Sequence, residues 1–456
     1  MKNTRLLLLL LLVASCASRQ TAIRHRNSYQ ADVRPVAPVT MPVQTPVVVE
    51  EEEKGPEVVV SARPLVSQVY RFPEGTWQYA KQQALDSLCL SPIFETTQLG
   101  LYVYDLTDGQ PLYAVNAAHR MRPASCQKIV TAVTALHFLK GNYQFRTDFR
   151  ITGNVKAGVL EGDLIVVGGM DPLVTADELL EAAATIKQKQ GINSIAGNII
   201  LDLSMREDKE LGWGWCWDDD YGPLSALLVD GKACFEEEWL QALAKAGITA
   251  PSPNPSPKEE GNRAKKSLPP RGEVGGGLVY TIRHSIDELL EPMMKESDNI
   301  YAECLFYQTA ATTGKKWAGR KEAAGRTEEL LKRIGLNPEQ YRVADGSGLS
   351  LYNYVSAEML VAMLGYAWRT PFIKEHLLPS LPIASIDGTL EKRMQDTEAQ
   401  GKVRAKTGTV TGVVSLAGYL TAANGHTLAF AIINQGIASS AMGRAFQDKV
   451  CIELCK

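Results

Sequence analysis

After Pro123 the chain reads SCQKIVTAVTALHFLK, with apolar side chains at 126, 129, 130, 133 and 136. A helix with this pattern is apolar nearly all round, so it belongs inside a domain and not on its surface. Such a helix needs a large core around it, and 456 residues with 45% hydrophobic and 22% charged content can supply one. That composition excludes a membrane bundle, a collagen-like rod and wholesale disorder. The length predicts two or three folding units. A net charge of −3 (48 basic against 51 acidic residues) provides no global field for nucleic acid, and no nucleic-acid partner is expected.

The rest of the chain is punctuated clearly. Residues 99–106 and 111–116 flank Thr107-Asp108-Gly109-Gln110 and read as a β-hairpin. Strands are expected at 145–151, 163–167 and 198–203, and a helix at 176–190. Residues 251–277 are low in complexity and read as a flexible excursion. Helical patterns follow at 285–310, 318–334 and 356–367. A second hairpin is expected from 413–421 and 426–434 around Ala-Ala-Asn-Gly, and a closing helix at 441–455.

The N-terminus carries Lys2 and Arg5, an apolar run to Ala14, then Ser15-Cys16, the form of an export signal. Val13-Ala14-Ser15-Cys16 resembles the lipobox of bacterial lipoproteins, which implies lipidation at Cys16 and a lipid anchor in a membrane. Residues 17–75 are rich in Pro, Val and Glu and read as a tether. With Cys16 lipidated, seven further cysteines remain, so at least one thiol is unpaired within the chain. Their spacing matches no zinc site, and no metal or cofactor is expected.

Three short motifs carry the chemistry. Ser125-Cys126-Gln127-Lys128 is the only Ser-x-x-Lys, and on a helix its serine and lysine share a face. Ser297-Asp298-Asn299 and Lys406-Thr407-Gly408 also occur once each. From average residue usage, chance supplies about two Ser-x-x-Lys in such a chain but only about 0.1 Lys-Thr-Gly. All three in this order point to serine acyl transfer of the kind found in penicillin-binding proteins and class A β-lactamases.

The segments PASCQKIVTA, ESDNIYAE, VADGSGLSLYN and VRAKTGTVTGVVSLAGYL narrow this further. They resemble the D-alanyl-D-alanine carboxypeptidase/endopeptidase family, the class C low-molecular-mass penicillin-binding proteins. The resemblance runs from about residue 76 to the C-terminus. It implies an α/β (α+β) transpeptidase fold, an antiparallel sheet flanked by helices with a smaller inserted α/β domain. The peptidase domain would comprise 76–142 and 278–456, and the insert 143–250. Ser125 would be the nucleophile and Lys128 its base, neutral beside Lys406 as the cation. Ser297 and Asn299 would relay the proton and orient Lys128. Thr407, Gly408 and Thr409 would form the wall that holds the substrate carboxylate, with the N–H groups of Ser125 and Thr409 as oxyanion hole. Asp171 would meet the amino end of the peptide side chain, while Trp213, Trp215 and Trp217 are expected to pack. Peptidoglycan stem peptides would be the substrate, β-lactams covalent inhibitors, and the bacterial envelope the location, facing the periplasm.

The chain departs from the family in two places. Leu351 stands where the family often has Arg after Asp-Gly-Ser-Gly-Leu-Ser, which puts recognition of a stem-peptide carboxylate in doubt. Ser125 and Ser297 lie 172 positions apart, where the family usually has more chain and two inserted domains, so one compact insert and a lost or vestigial second one are expected. Two other functions fit parts of this pattern: a β-lactamase of the same fold, and a lipoprotein that binds peptidoglycan without turnover. The first lacks the Glu-x-x-Leu-Asn pattern of class A; the second needs no intact nucleophile.

Overall fold

The computed structural model describes residues 72–216, 219, 222–251 and 276–456. Cys16, the expected export signal, most of the expected tether and Trp217 lie outside them. Helix α1 (Trp77–Cys89) begins where Thr76 accepts from the Tyr79 N–H. Strands β1 (Gln98–Asp105) and β2 (Gln110–Val115) form the expected hairpin. In its turn, the Asp105 carboxylate accepts from the N–H groups of Thr107 and Asp108. A short 3-10 turn, Ala124–Cys126, then enters α2 (Gln127–Leu139), which is buried from Gln127 to Leu136.

The insert follows, with β3 (Gln144–Ile151), β4 (Asn154–Lys156), β5 (Val159–Glu161), β6 (Leu164–Val167), α3 (Ala176–Gln190), β7 (Ser194–Ile195), β8 (Ile199–Asp202), α4 (Phe235–Lys245) and β9 (Gly277–Ser285). A capping box of Thr175 and Glu178 starts α3, the helix expected at 176–190, and Gly191 at φ 70° ends it. One sheet has the order β8-β6-β3-β9 and a smaller one β4-β5-β7. Phe149, Leu179 and Trp239 lie in their shared core. The sequence reading returns the chain to the peptidase domain at 278. By hydrogen bonding, however, β9 belongs to the insert, pairing with β3 from Gln144↔Ser285 to Ile151↔Gly277. The return falls at Ile286, whose N–H bonds to the Tyr143 carbonyl at 3.1 Å.

The C-terminal half contains α5 (Ile286–Lys295), α6 (Asn299–Ala311), α7 (Arg320–Arg333), α8 (Ala357–Arg369), α9 (Pro371–Ser380), β10 (Val403–Val410), β11 (Val413–Thr421), β12 (Thr427–Gln435) and α10 (Ser440–Cys455). The single helix expected over 285–310 is two. Ser297 turns into the left-handed region (φ 66°) between them, and the Asp298 carboxylate caps α6 at the Tyr301 N–H. The break is the Ser-Asp-Asn motif itself.

Strands β10-β11-β12-β1-β2 form one antiparallel sheet. Along β12, Leu428, Phe430 and Ile432 face the core under α1 and α10, while Ala429, Ala431 and Ile433 face the core on the α8 side. The alternation is the period-two pattern of a sheet covered on both faces. Helix α2 packs among α6, α7, α8 and α9, and this layering sets its N-terminus against β10. Cys451 and Cys455 are both buried on α10, and the seven described cysteines are free thiols. Among the described residues no helix is long and apolar enough to cross a membrane.

Candidate active site

Ser125 stands in the turn that feeds α2. Ala124 just before it holds φ 47°, a conformation costly for a residue with a Cβ, on the order of 1–3 kcal/mol. The turn is held there from two sides. Ser415 Oγ donates to the Pro123 carbonyl at 2.6 Å, and Gly348 comes so close that a Cβ on it would lie 1.9 Å from the Ala124 oxygen. One helical turn on, Lys128 Nζ lies 3.1 Å from Ser125 Oγ, 2.5 Å from Asn299 Oδ1 and 3.0 Å from the Ser347 carbonyl. Asn299 Oδ1 and the Ser347 carbonyl can only accept. A neutral amine has two N–H bonds for them and a lone pair left for the serine hydroxyl, which is what a general base requires.

Across the cleft, Lys406 Nζ donates to Ser297 Oγ at 2.8 Å and to the Thr407 carbonyl at 2.8 Å. The left-handed turn at Ser297 aims its hydroxyl at this lysine, while Asn299 opens α6 and points back to Lys128. Strand β10 is an edge strand, and the Ala405 N–H bonds outward to Pro382, away from β11. Backbone groups alternate along an antiparallel strand, so the Thr407 and Thr409 N–H groups also face the open edge. Gly408 lets this edge meet the nucleophile: a Cβ there would lie 2.3 Å from Ser415 Oγ and 2.9 Å from the Ser125 nitrogen. The Ser125 and Thr409 N–H groups thus border one space, a cleft of about 700 Å³ that Ser297, Asn299, Thr407 and Gly408 also line.

The Asp345-Gly346-Ser347-Gly348-Leu349-Ser350 segment is a structural strut. Asp345 accepts from the N–H groups of Gly348 and Ser350, from Asn353 Nδ2 and from Trp215 Nε1. Glu303 on α6 accepts from the N–H groups of Gly346 and Ser347 at 3.0 and 2.8 Å. The strut delivers the Ser347 carbonyl to Lys128. Sequence reasoning passed over Glu303, although an acidic residue in the otherwise apolar run of α6 was the signal.

Both lysines are buried. Burial lowers both, Lys128 to about 8 and Lys406 to about 7. Asp345, Glu303 and Asp298 partly offset this at Lys128, whereas Lys406 faces the Lys128 charge and has no carboxylate of its own. A carboxylate arriving beside Lys406 would favour the cation there. Burial also pushes the neighbouring Cys126 thiol up to about 11, which leaves it a poor nucleophile beside Ser125.

Asp171 stands apart from the other site residues. Its side chain is fully buried, 2.8 Å from His284 Nδ1, and it does not line the cleft. Trp215 packs as expected, with its N–H on Asp345. Trp213 is partly exposed and stacks with Tyr352 at 4.9 Å under the Arg320 guanidinium.

A serine, a buried amine and an edge strand of outward N–H groups, on a mixed α/β scaffold, define a serine acyl-transfer enzyme of the penicillin-binding class. The chain belongs to the D-Ala-D-Ala carboxypeptidase 3 (S13) family, whose profile matches residues 81–270 and 280–452. It is 28% identical over 410 residues to the D-alanyl-D-alanine carboxypeptidase DacB of Haemophilus influenzae, covering 74% of this chain and 85% of that one. It is 26% identical over 460 residues to the D-alanyl-D-alanine carboxypeptidase of an Actinomadura species, covering 82% and 84%. The fold resembles crystalline penicillin binding protein 4 of Haemophilus influenzae, with a TM-score of 0.69 and 24% identity over 81% of this chain and 98% of that one.

Proposed function

We propose that Ser125 attacks the carbonyl between two D-alanines, or of a D-alanyl cross-link, in peptidoglycan stem peptides. The Ser125 proton passes to Lys128 and then, through Ser297 and Lys406, to the departing amine. The Ser125 and Thr409 N–H groups hold the oxyanion; in related chemistry one such donor is worth about 3–4 kcal/mol. Lys406, Thr407 and Thr409 hold the terminal carboxylate. Water then releases the acyl group, and a β-lactam occupies the same serine and blocks it.

The observation that carries this reading is the set of three contacts at Lys128 Nζ, which leaves its lone pair for Ser125. Family membership and the DacB relatives support the substrate class. Labelling with a fluorescent penicillin, wild type against Ser125→Ala, is the test. The wild type takes the label and releases D-alanine from a D-Ala-D-Ala peptide; the variant does neither. An unlabelled wild type sinks the mechanism, and rapid turnover of the penicillin makes the protein a β-lactamase.

The proposal extends to location. Export and lipidation at Cys16 would tether the enzyme in the bacterial envelope, within reach of its substrate. Cys16→Ala should move the protein from the membrane fraction to the soluble one.

A further inference from the structure

A D-alanine leaving group carries one carboxylate, and Lys406, Thr407 and Thr409 suffice to hold it. The cleft continues beyond them. Thr407 Oγ1 donates to Thr389 Oγ1 at 2.8 Å, and Thr389 stands on the turn Gly388–Leu390. Lys392 and Arg393 follow it along the lining, joined there by Arg444 from α10.

These three cations differ in what they already hold. Arg393 donates to Asp448 Oδ1 at 2.6 Å and to the Arg444 carbonyl at 3.3 Å, so its charge is spent on bracing α10. The side chains of Lys392 and Arg444 are exposed and make no hydrogen bond or ion pair among the described residues. Most of the remaining lining is uncharged, Asn299, Gly348 and Leu349 among it. Glu296, the acidic side chain of the lining, adjoins Ser297 in the chain.

We propose that Lys392 and Arg444 form a second anion subsite on the leaving-group side of the cleft. It takes a carboxylate that free D-alanine does not have. The leaving group with such a carboxylate is a second stem peptide, joined through a side-chain amine, and this inference rests on the serine-peptidase reading above. In that cleavage the bond between the D-alanyl carbonyl and the side-chain amine breaks and the Ser125 ester forms. The serine proton ends on the departing amine, and water later frees the acid.

The test compares two substrates with the full chain and the variant Lys392→Gln/Arg444→Gln. One is a peptide ending in D-Ala-D-Ala; the other is a cross-linked muropeptide dimer. The variant should lose about tenfold in kcat/KM on the dimer, with D-alanine release and penicillin labelling within about twofold. The charge-reversed Lys392→Glu/Arg444→Glu should lose more on the dimer. Raising salt from about 0.05 to 0.5 M should erode the wild-type preference but not the variant's. Equal losses on both substrates, or an unchanged dimer rate with labelling intact, overturn the subsite alone. Failure of the wild type to label overturns the serine-peptidase reading itself.

Discussion

Glu303 Oε1 accepts the Ser347 N–H at 2.8 Å, and the carbonyl of that same residue accepts from Lys128 Nζ at 3.0 Å. One buried carboxyl therefore sets the position of the catalytic amine through a single residue. Burial and the nearby Asp345 raise Glu303 to about 8, well above an ordinary carboxyl. Glu303→Ala leaves two buried N–H groups without partners. We expect a stability loss of about 2–4 kcal/mol by denaturant titration, and slower penicillin acylation in the folded fraction.

Gly408 is where β10 touches the nucleophile. Gly408→Ala must push the strand away from the Ser125 nitrogen, displacing the Thr409 N–H as well. Acylation should fall about 100-fold, with a far smaller change in Tm. Similar losses in both would make the glycine a packing residue.

Asn299→Ala removes an acceptor from Lys128 and frees the amine to leave Ser125. We expect acylation by penicillin to drop about 100-fold while noncovalent affinity for a product peptide changes little. The carboxylate contacts at Thr407 and Thr409 remain in this variant, so a large loss of product binding would contradict the assignment.

The acylation rate should depend on pH through the lysine pair. Both lysines lie below 10.5, Lys128 at about 8, and the reactive form is the neutral amine. The rate should therefore climb from pH 6 and level off above about 8, not above 10. At pH 7 roughly a tenth of Lys128 is neutral by that value. A rate that is flat or falling over pH 6–8 in a gel-based labelling series would exclude Lys128 as base.

His284 provides a pH dependence of stability instead. Hydrogen bonding to Asp171 leads the causes that raise it to about 9, with the charges of Asp171, Glu178 and Glu288 adding to it. The folded state thus holds a proton that the unfolded chain releases near 6.5. Its stabilisation is complete below about 6.5 and disappears as pH rises through 9. Asp171→Asn should weaken this decline in urea titrations at pH 6 and 9.5 and leave penicillin labelling of the folded protein intact.

Much of this molecule is legible in its residues. The all-apolar helix from Gln127, the two hairpins of the main sheet and the three motifs each rest on local signals, and the structure places them within a residue or two. What escapes is long-range. Nothing near Gly277–Ser285 says that its partner is Gln144–Ile151, and hydrophobic period cannot reveal that Ser297 interrupts a helix. The partner of Asp171 is His284, 113 positions away, and no local signal names it. Nor does any motif unite Asp345 and Glu303 with Lys128, whose surroundings they shape.

The chain leaves the peptidase unit along β3 and re-enters along β9, and these strands lie side by side with Gln144 opposite Ser285. Both crossings therefore run through neighbouring strands, with Ile151 and Gly277 at their far end. The small sheet β4-β5-β7 is the part of the insert that could be trimmed or lengthened over evolution, or by an engineer, as long as the two stems keep their register. The stretch around Trp215 is not free to change in this way, because its N–H holds Asp345 in the strut behind Lys128.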